Sequence, residues 1–139
     1  MEYRKFDSKY VVRLNRGEEV VASLLKFAEE EKVVLANISG IGAGDFVKFG
    51  LFDVKEKQYH SNELKVPFEI ASLMGTFSEM NGKPYLHLHI SVGVEDGHIF
   101  GGHLNECKIS ATCEIVVDVI EGKVGRKVSE EVGLNLFDF

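Results

Sequence analysis

The stretch PYLHLHISVGVEDGHIFGGHL, residues 84–104, reads as one β-hairpin, and the way its turn closes decides which side chains the sheet presents together. Side chains alternate faces along a strand, so Leu86, Leu88 and Ile90 point one way while His87, His89 and Ser91 point the other. Two imidazoles then share a face at the ~7 Å spacing of alternate strand residues. A two-residue turn at Asp96-Gly97 would set Ile90 opposite His103, on the wrong face. A three-residue loop of Glu95, Asp96 and Gly97, with glycine in the left-handed position such loops favour, pairs Val94 with His98 and brings His89 opposite His103. Gly101 and Gly102 offer a second route, since glycines in a strand mark a bulge or a close backbone approach.

Outward from the hairpin, the chain is mostly β-prone. Tyr10 to Leu14 is a short strand, and Asn15-Arg16-Gly17 breaks it before the one helical stretch. From Glu18 to Glu31 the apolar residues Val20, Val21, Leu24, Leu25, Phe27 and Ala28 recur at three and four, with Glu18 and Glu19 in the first turn, where the helix dipole favours acids. Glu29, Glu30 and Glu31 read as a solvated face. Val33 to Ile38 runs into Ser39-Gly40-Ile41-Gly42-Ala43-Gly44-Asp45, a glycine-rich segment expected to be a flexible turn. Nucleotide binding there is disfavoured, because β-prone Phe46-Val47-Lys48-Phe49 follows where a helix N-terminus would be needed, and no Walker lysine is present. Further strands are expected over Phe46 to Val54, Gln58 to Leu64 after a Lys55-Glu56-Lys57 turn, and Phe68 to Phe77 before a break at Asn81-Gly82-Lys83-Pro84. The last, Ile109 to Ile120, has an Ile115-Val116-Val117 segment that looks buried on both sides. Apolar residues in the tail, Gly122 to Phe139, suggest that it docks on the body.

Composition narrows the function. Sixteen basic against 22 acidic residues leave a net charge of −6, which argues against DNA binding driven by phosphate neutralisation. A chain of 139 residues, 45% hydrophobic and 27% charged, is expected to form a single domain over residues 1–139, large enough to fold without a disulfide or structural metal. Cys107 and Cys113 match neither a zinc knuckle nor a redox pair and are expected to be buried free thiols. No apolar leader or membrane-length run is visible, so a cytoplasmic location without membrane association is expected.

Three neutral imidazoles, His87, His89 and His103, leave an open position on a tetrahedral divalent ion, the pattern of a reactive site as distinct from a closed structural one. Zinc is the first expectation, although nickel, iron and copper also accept imidazole and affinity alone favours copper. The plain alternative is a set of half-exposed strand histidines without an ion. His60 and His98 have weaker claims, the one in a hairpin arm and the other beside a turn.

Phe68-Glu69-Ile70, Leu73-Met74-Gly75-Thr76-Phe77, Leu86-His87-Leu88-His89, Asp96-Gly97, Gly101-Gly102-His103-Leu104 and Glu114-Ile115-Val116-Val117, in this order, resemble the plants-and-prokaryotes conserved (PPC) domain over roughly Lys9 to Leu136. The resemblance implies an α+β fold, a largely antiparallel or mixed sheet with one main packed helix, and assembly as a homotrimer. It also implies that His87, His89 and His103 ligate a bound metal, commonly zinc. In plants the domain accompanies AT-hooks in DNA-binding proteins, but this chain carries no Arg-Gly-Arg-Pro hook to enter a minor groove. The plant partner-binding segment Gly-Arg-Phe-Glu-Ile-Leu has its counterpart at Val66-Pro67-Phe68-Glu69-Ile70-Ala71, with Pro67 in place of arginine. Glu69 is a candidate ligand-orienting or intersubunit carboxylate, and Arg126 a candidate anion or intersubunit contact. No residue presents itself as a nucleophile. Three functions therefore stand open: a metal-binding assembly domain that takes a small ligand or performs some reaction on it, a DNA-associated regulator, and a protein-interaction or oligomerisation module.

Overall fold

The computed structural model describes residues 1–139. Its elements are β1 (Glu2–Phe6), β2 (Lys9–Asn15), α1 (Val20–Glu31), β3 (Ala36–Asp53), β4 (Gln58–Leu64), β5 (Phe68–Met80), β6 (Lys83–Gly93), β7 (Ile99–Val119), β8 (Gly125–Ser129) and β9 (Leu134–Asp138). Seven strands form one sheet in the order β1-β2-β7-β6-β5-β3-β4, and β3 and β7 also pair with each other. All the pairings are antiparallel, and the ladder β3–β5–β6–β7–β3 closes on itself. Strands β8 and β9 form a separate hairpin. The chain is thus mostly antiparallel sheet with a single short helix, more sheet-dominated than an even α+β mixture.

Alternation explains the core. Val12 and Leu14 of β2, Ile38 of β3, Leu73 and Phe77 of β5, Leu88 and Ile90 of β6 and Ile115 and Val117 of β7 all point inward and are buried. Against them α1 lays Val20, Leu24, Phe27 and Ala28, an i, i+4, i+7, i+8 stripe. Glu19 is the cap of this helix and not part of its first turn: it is extended (φ −106°, ψ 131°), and its carboxylate accepts from the Val21 and Ala22 amides at 2.9 and 2.6 Å. The same carboxylate accepts from Cys107 N at 3.0 Å, which ties the helix start to β7. Lys32 ends the helix in the left-handed region (φ 56°).

Several expectations change. Ser39 to Asp45 is not a turn but the middle of the 18-residue β3, since Gly40 and Gly42 lie where the β7 backbone passes too close for a side chain. Val116 is not buried: Ile115 and Val117 face the core while Val116 is 39% exposed on the outer face. Of the three helix-end glutamates, Glu29 and Glu30 are exposed, but Glu31 accepts hydrogen bonds from the Tyr3 and Tyr10 hydroxyls, both at 2.9 Å. Those bonds hold the Glu31 carboxyl below its usual range. The edge strand β1 carries no sequence signal because all five of its residues are exposed. Cys107 and Cys113 are free and buried, and burial pushes both thiols up to about 12, so neither is a nucleophile near neutral pH. No helix is long and apolar enough to cross a membrane.

Candidate metal centre

The β6–β7 loop is the three-residue one. Val94 N donates to His98 O at 3.1 Å, Gly97 N donates to Val94 O at 2.9 Å, and Gly97 sits at φ +82°, a conformation that glycine reaches without a Cβ penalty. Asp96 Oδ1 accepts from His98 N at 3.0 Å and stands 2.9 Å from its Nδ1, so His98 belongs to the turn. From this closure the ladder runs without a register shift to His89 opposite His103. The Gly101-Gly102 pair therefore marks a close approach, Gly101 to the Ile90 carbonyl and Gly102 to that of Gly50, and not a bulge between these strands.

The three rings meet on the outer face. Ring centroids are 5.2 Å apart for His87–His89, 5.2 Å for His87–His103 and 5.8 Å for His89–His103. One donor nitrogen from each lies within 4.8 Å of the others. Imidazoles on one tetrahedral ion, with bonds of ~2.0–2.1 Å, stand ~3.4 Å apart, a difference that small χ rotations cover. The donor chemistry also fits: three imidazoles, with no ammonium or guanidinium among the donors. Burial, reinforced by His103, His89 and Arg126, lowers His87 to about 4, and burial with His89 lowers His103. Both lone pairs are thus kept free at neutral pH.

The sign of the resulting pH dependence follows. Because the folded value of His87 lies below the unfolded 6.5, the unfolded chain takes up this proton first as pH falls. Metal-free protein is expected to lose about 1–2 kcal/mol between pH 7 and pH 4.5 from this ring, after allowance for solvent screening. Urea midpoints of wild type and His87→Ala across that range check this, since the variant should show the smaller acid slope.

The rings open onto a cavity of about 650 Å³. Its walls are Leu51 and Phe52 of β3, Tyr59 of β4, Tyr85 of β6, Asn105 of β7, Arg126 of β8, and Leu134, Asn135, Leu136 and Phe137 of β9, with no aspartate or glutamate among them. Tyr59 stands edge-on to His103, 6.1 Å between centroids, and its hydroxyl donates to Asn105 Oδ1. The Arg126 guanidinium lies 4.5 Å from the Tyr85 ring centroid and 4.3 Å from that of Phe137, while Nε donates to Ser78 Oγ at 2.7 Å and Nη1 to Asn135 O at 2.8 Å.

The other candidates fall elsewhere. Glu69 is exposed at the start of β5, opposite Ala43 and Gly93, about four strand residues or roughly 13 Å along from His89. It is not brought to the imidazoles. His60 joins Asp53 and Glu56, but Asp53 Oδ1 there already accepts from the amides of Lys55 and Glu56 at 2.8 and 3.0 Å, an ordinary turn cap. Among the cavity residues that the sequence does not single out are Tyr85 and Tyr59. Tyr85 was accessible to it, two residues before His87 on the same face, whereas Tyr59 depends on how β4 pairs.

A model of the Plants and Prokaryotes Conserved domain (PCC, also written PPC) matches residues 1–121. The chain belongs to this family. No curated protein matched it. Among solved structures, this PCC domain is similar to a candidate DNA-binding protein from Bacteroides thetaiotaomicron, with 35% identity, 99% of this chain and 96% of the other covered, and a TM-score of 0.97. It is similar to a metal-containing protein from Archaeoglobus fulgidus at 34% identity, with 99% and 96% covered and a TM-score of 0.89. It also resembles a PPC protein from Pyrococcus horikoshii at 32% identity, with 99% and 94% covered and a TM-score of 0.87. The family match ends at Glu121, so the wall that β8 and β9 give to the PCC cavity lies beyond it.

Proposed function

We propose that this PCC domain binds one divalent metal ion, zinc by preference, through His87, His89 and His103, and presents its open position to a small ligand in the adjoining cavity. The convergence of three imidazoles from two strands carries this reading. The metal-containing relative from Archaeoglobus fulgidus supports it. A bound ion supplies Lewis acidity, enough to polarise a carbonyl. The chain's own part is to hold His87 and His103 unprotonated, to orient His103 with the Tyr59 edge, and to screen the rings from bulk water with Phe52, Leu136 and Phe137. Metal analysis of untagged protein should find about one ion per chain; an empty protein that takes up no zinc would end this reading.

Assembly as a homotrimer is part of the proposal. Cross-strand partners share a face, so Val11, Val116, Ser39, Met74, His89 and His103 form one outward row across the sheet. Its apolar members, with Met74 56% exposed and neighbouring Ile41 60% exposed, make a strip that a second copy would cover. Trimers formed by a protein that takes up no metal at all would instead favour a pure oligomerisation module.

The DNA-associated reading draws on the B. thetaiotaomicron relative and on a second candidate DNA-binding protein from Ralstonia eutropha. The net charge of −6 works against it. Duplex binding measured at two salt concentrations is expected to be weak at both. Submicromolar affinity with a steep salt slope would restore the regulator.

A further inference from the structure

Arg126 is the only arginine on the cavity wall, which carries no lysine, aspartate or glutamate, and it has no acidic partner anywhere in the structure. Two of its five N–H groups are used, one by Ser78 Oγ and one by Asn135 O; Nη2 donates to nothing. No buried side-chain nitrogen or oxygen lacks a partner, so this idle Nη2 keeps accessible surface, and Arg126 is one of the residues that line the cavity. The group is also locked in place. It is stacked between Tyr85 and Phe137, and Ser78, which receives Nε, is itself fully buried. A guanidinium fixed on three sides and open on the fourth, in an acid-free pocket of an acidic protein, is built for an anion.

We infer that the cavity recognises a small organic carboxylate, its oxygens on the free Nη edge of Arg126 and its apolar body against Phe52, Leu136 and Phe137. The carboxylate is favoured over an inorganic anion because two phenylalanines, two tyrosines and three leucines line the same space, and a bare phosphate would leave that apolar surface without a contact. Tyr85, whose ring Arg126 covers, is the alternate-residue neighbour of His87 on the outer face of β6, so a bound carboxylate lies about one strand repeat, ~7 Å, from the imidazoles. That separation suits a molecule with a second oxygen a few atoms from its carboxylate. The inference rests on the cavity being a small-ligand site, but not on the ion being present.

Calorimetric titration of phenylacetate, phenylacetamide and inorganic phosphate into the full chain, once zinc-loaded and once chelated, tests it. Phenylacetate should bind, and the amide, identical in shape but uncharged, roughly ten- to a hundredfold more weakly. Arg126→Gln should lose the same factor for phenylacetate while keeping its zinc stoichiometry. Arg126→Lys, which keeps the charge without the fork, should fall between. Equal affinity for acid and amide, an Arg126→Gln variant that binds phenylacetate normally, or phosphate binding tighter than phenylacetate would each overturn the assignment. Should Arg126→Gln fail to fold, the acid-to-amide ratio on wild type decides alone. Absence of zinc uptake would remove the metal reading and leave this one standing, since the chelated arm is read separately.

Discussion

Replacing His87, His89 and His103 together by alanine is expected to take the metal content of untagged protein from about one ion per chain to background, with the fold intact. The rings stand on the outer face of β6 and β7, where His89 is exposed and the other two half-buried, while the core layer beneath is Leu88, Ile90 and Leu104. The ladder that holds these strands is backbone to backbone and does not use the imidazoles. Each substitution should therefore cost the metal-free protein little, within about 0.5 kcal/mol as for other surface positions. Added zinc should raise the melting temperature of wild type, because an ion at a hundredfold excess over its Kd stabilises the folded state by about 2.7 kcal/mol, and should leave the triple variant where it was. Single variants should lose more than a hundredfold in affinity, since even the outer partners of metal ligands are worth ten- to a hundredfold. His60→Ala supplies the contrast. It removes a member of the Asp53-Glu56-His60 group and should keep the full ion. Retention of metal by the triple variant would remove the basis for the proposed function.

The histidine site was legible because its logic is local. One face of β6 is written by alternation, and the turn that sets His103 needs only a glycine able to hold φ +82° three residues after Val94. What escaped was whatever depends on the far partner of a strand. Gly40 and Gly42 read as a loop because isolated glycines weaken strands, yet a Cβ on Gly40 would stand 2.9 Å from Glu114 O and one on Gly42 2.7 Å from Cys113 Cα. The glycines are there to let β3 and β7 touch, and nothing near residue 40 announces residue 114. Val116 failed for the opposite reason: a β-branched residue between two buried neighbours looks buried, and only the pairing with Val11 and Ser39 shows it turned outward. The tail's apolar residues point to docking, but its mixed charges hide β8 and β9 and with them the Arg126 stack that finishes the cavity.

The second large effect is expected at Gly75, on the strand beside the site. Gly75 pairs with Leu88, between Thr76 opposite His87 and Met74 opposite His89, so it lies under the segment that carries two of the three imidazoles. A Cβ built there falls well inside contact distance of the His87 carbonyl oxygen and 2.9 Å from both His87 C and Leu88 Cα. These are backbone atoms of a central strand bonded on both sides, so no rotamer change relieves the clash, and β5 and β6 must separate or slip. Overpacking ordinarily costs about 1–3 kcal/mol where side chains can yield. Here Gly75→Ala should cost about 3 kcal/mol or more, a large part of the ~5–15 kcal/mol that holds a domain together. Gly125→Ala is the matched control: no heavy atom lies within 4 Å of its added Cβ, and its melting temperature should change by no more than a few degrees. If Gly75→Ala folds at all, zinc affinity should drop with stability, because a shift of His87 relative to His89 opens the donor triangle. A variant as stable as wild type would mean that β5 and β6 do not pair in the register described at Gly75, whereas the convergence of the imidazoles, set by the β6–β7 ladder, is tested by the histidine variants.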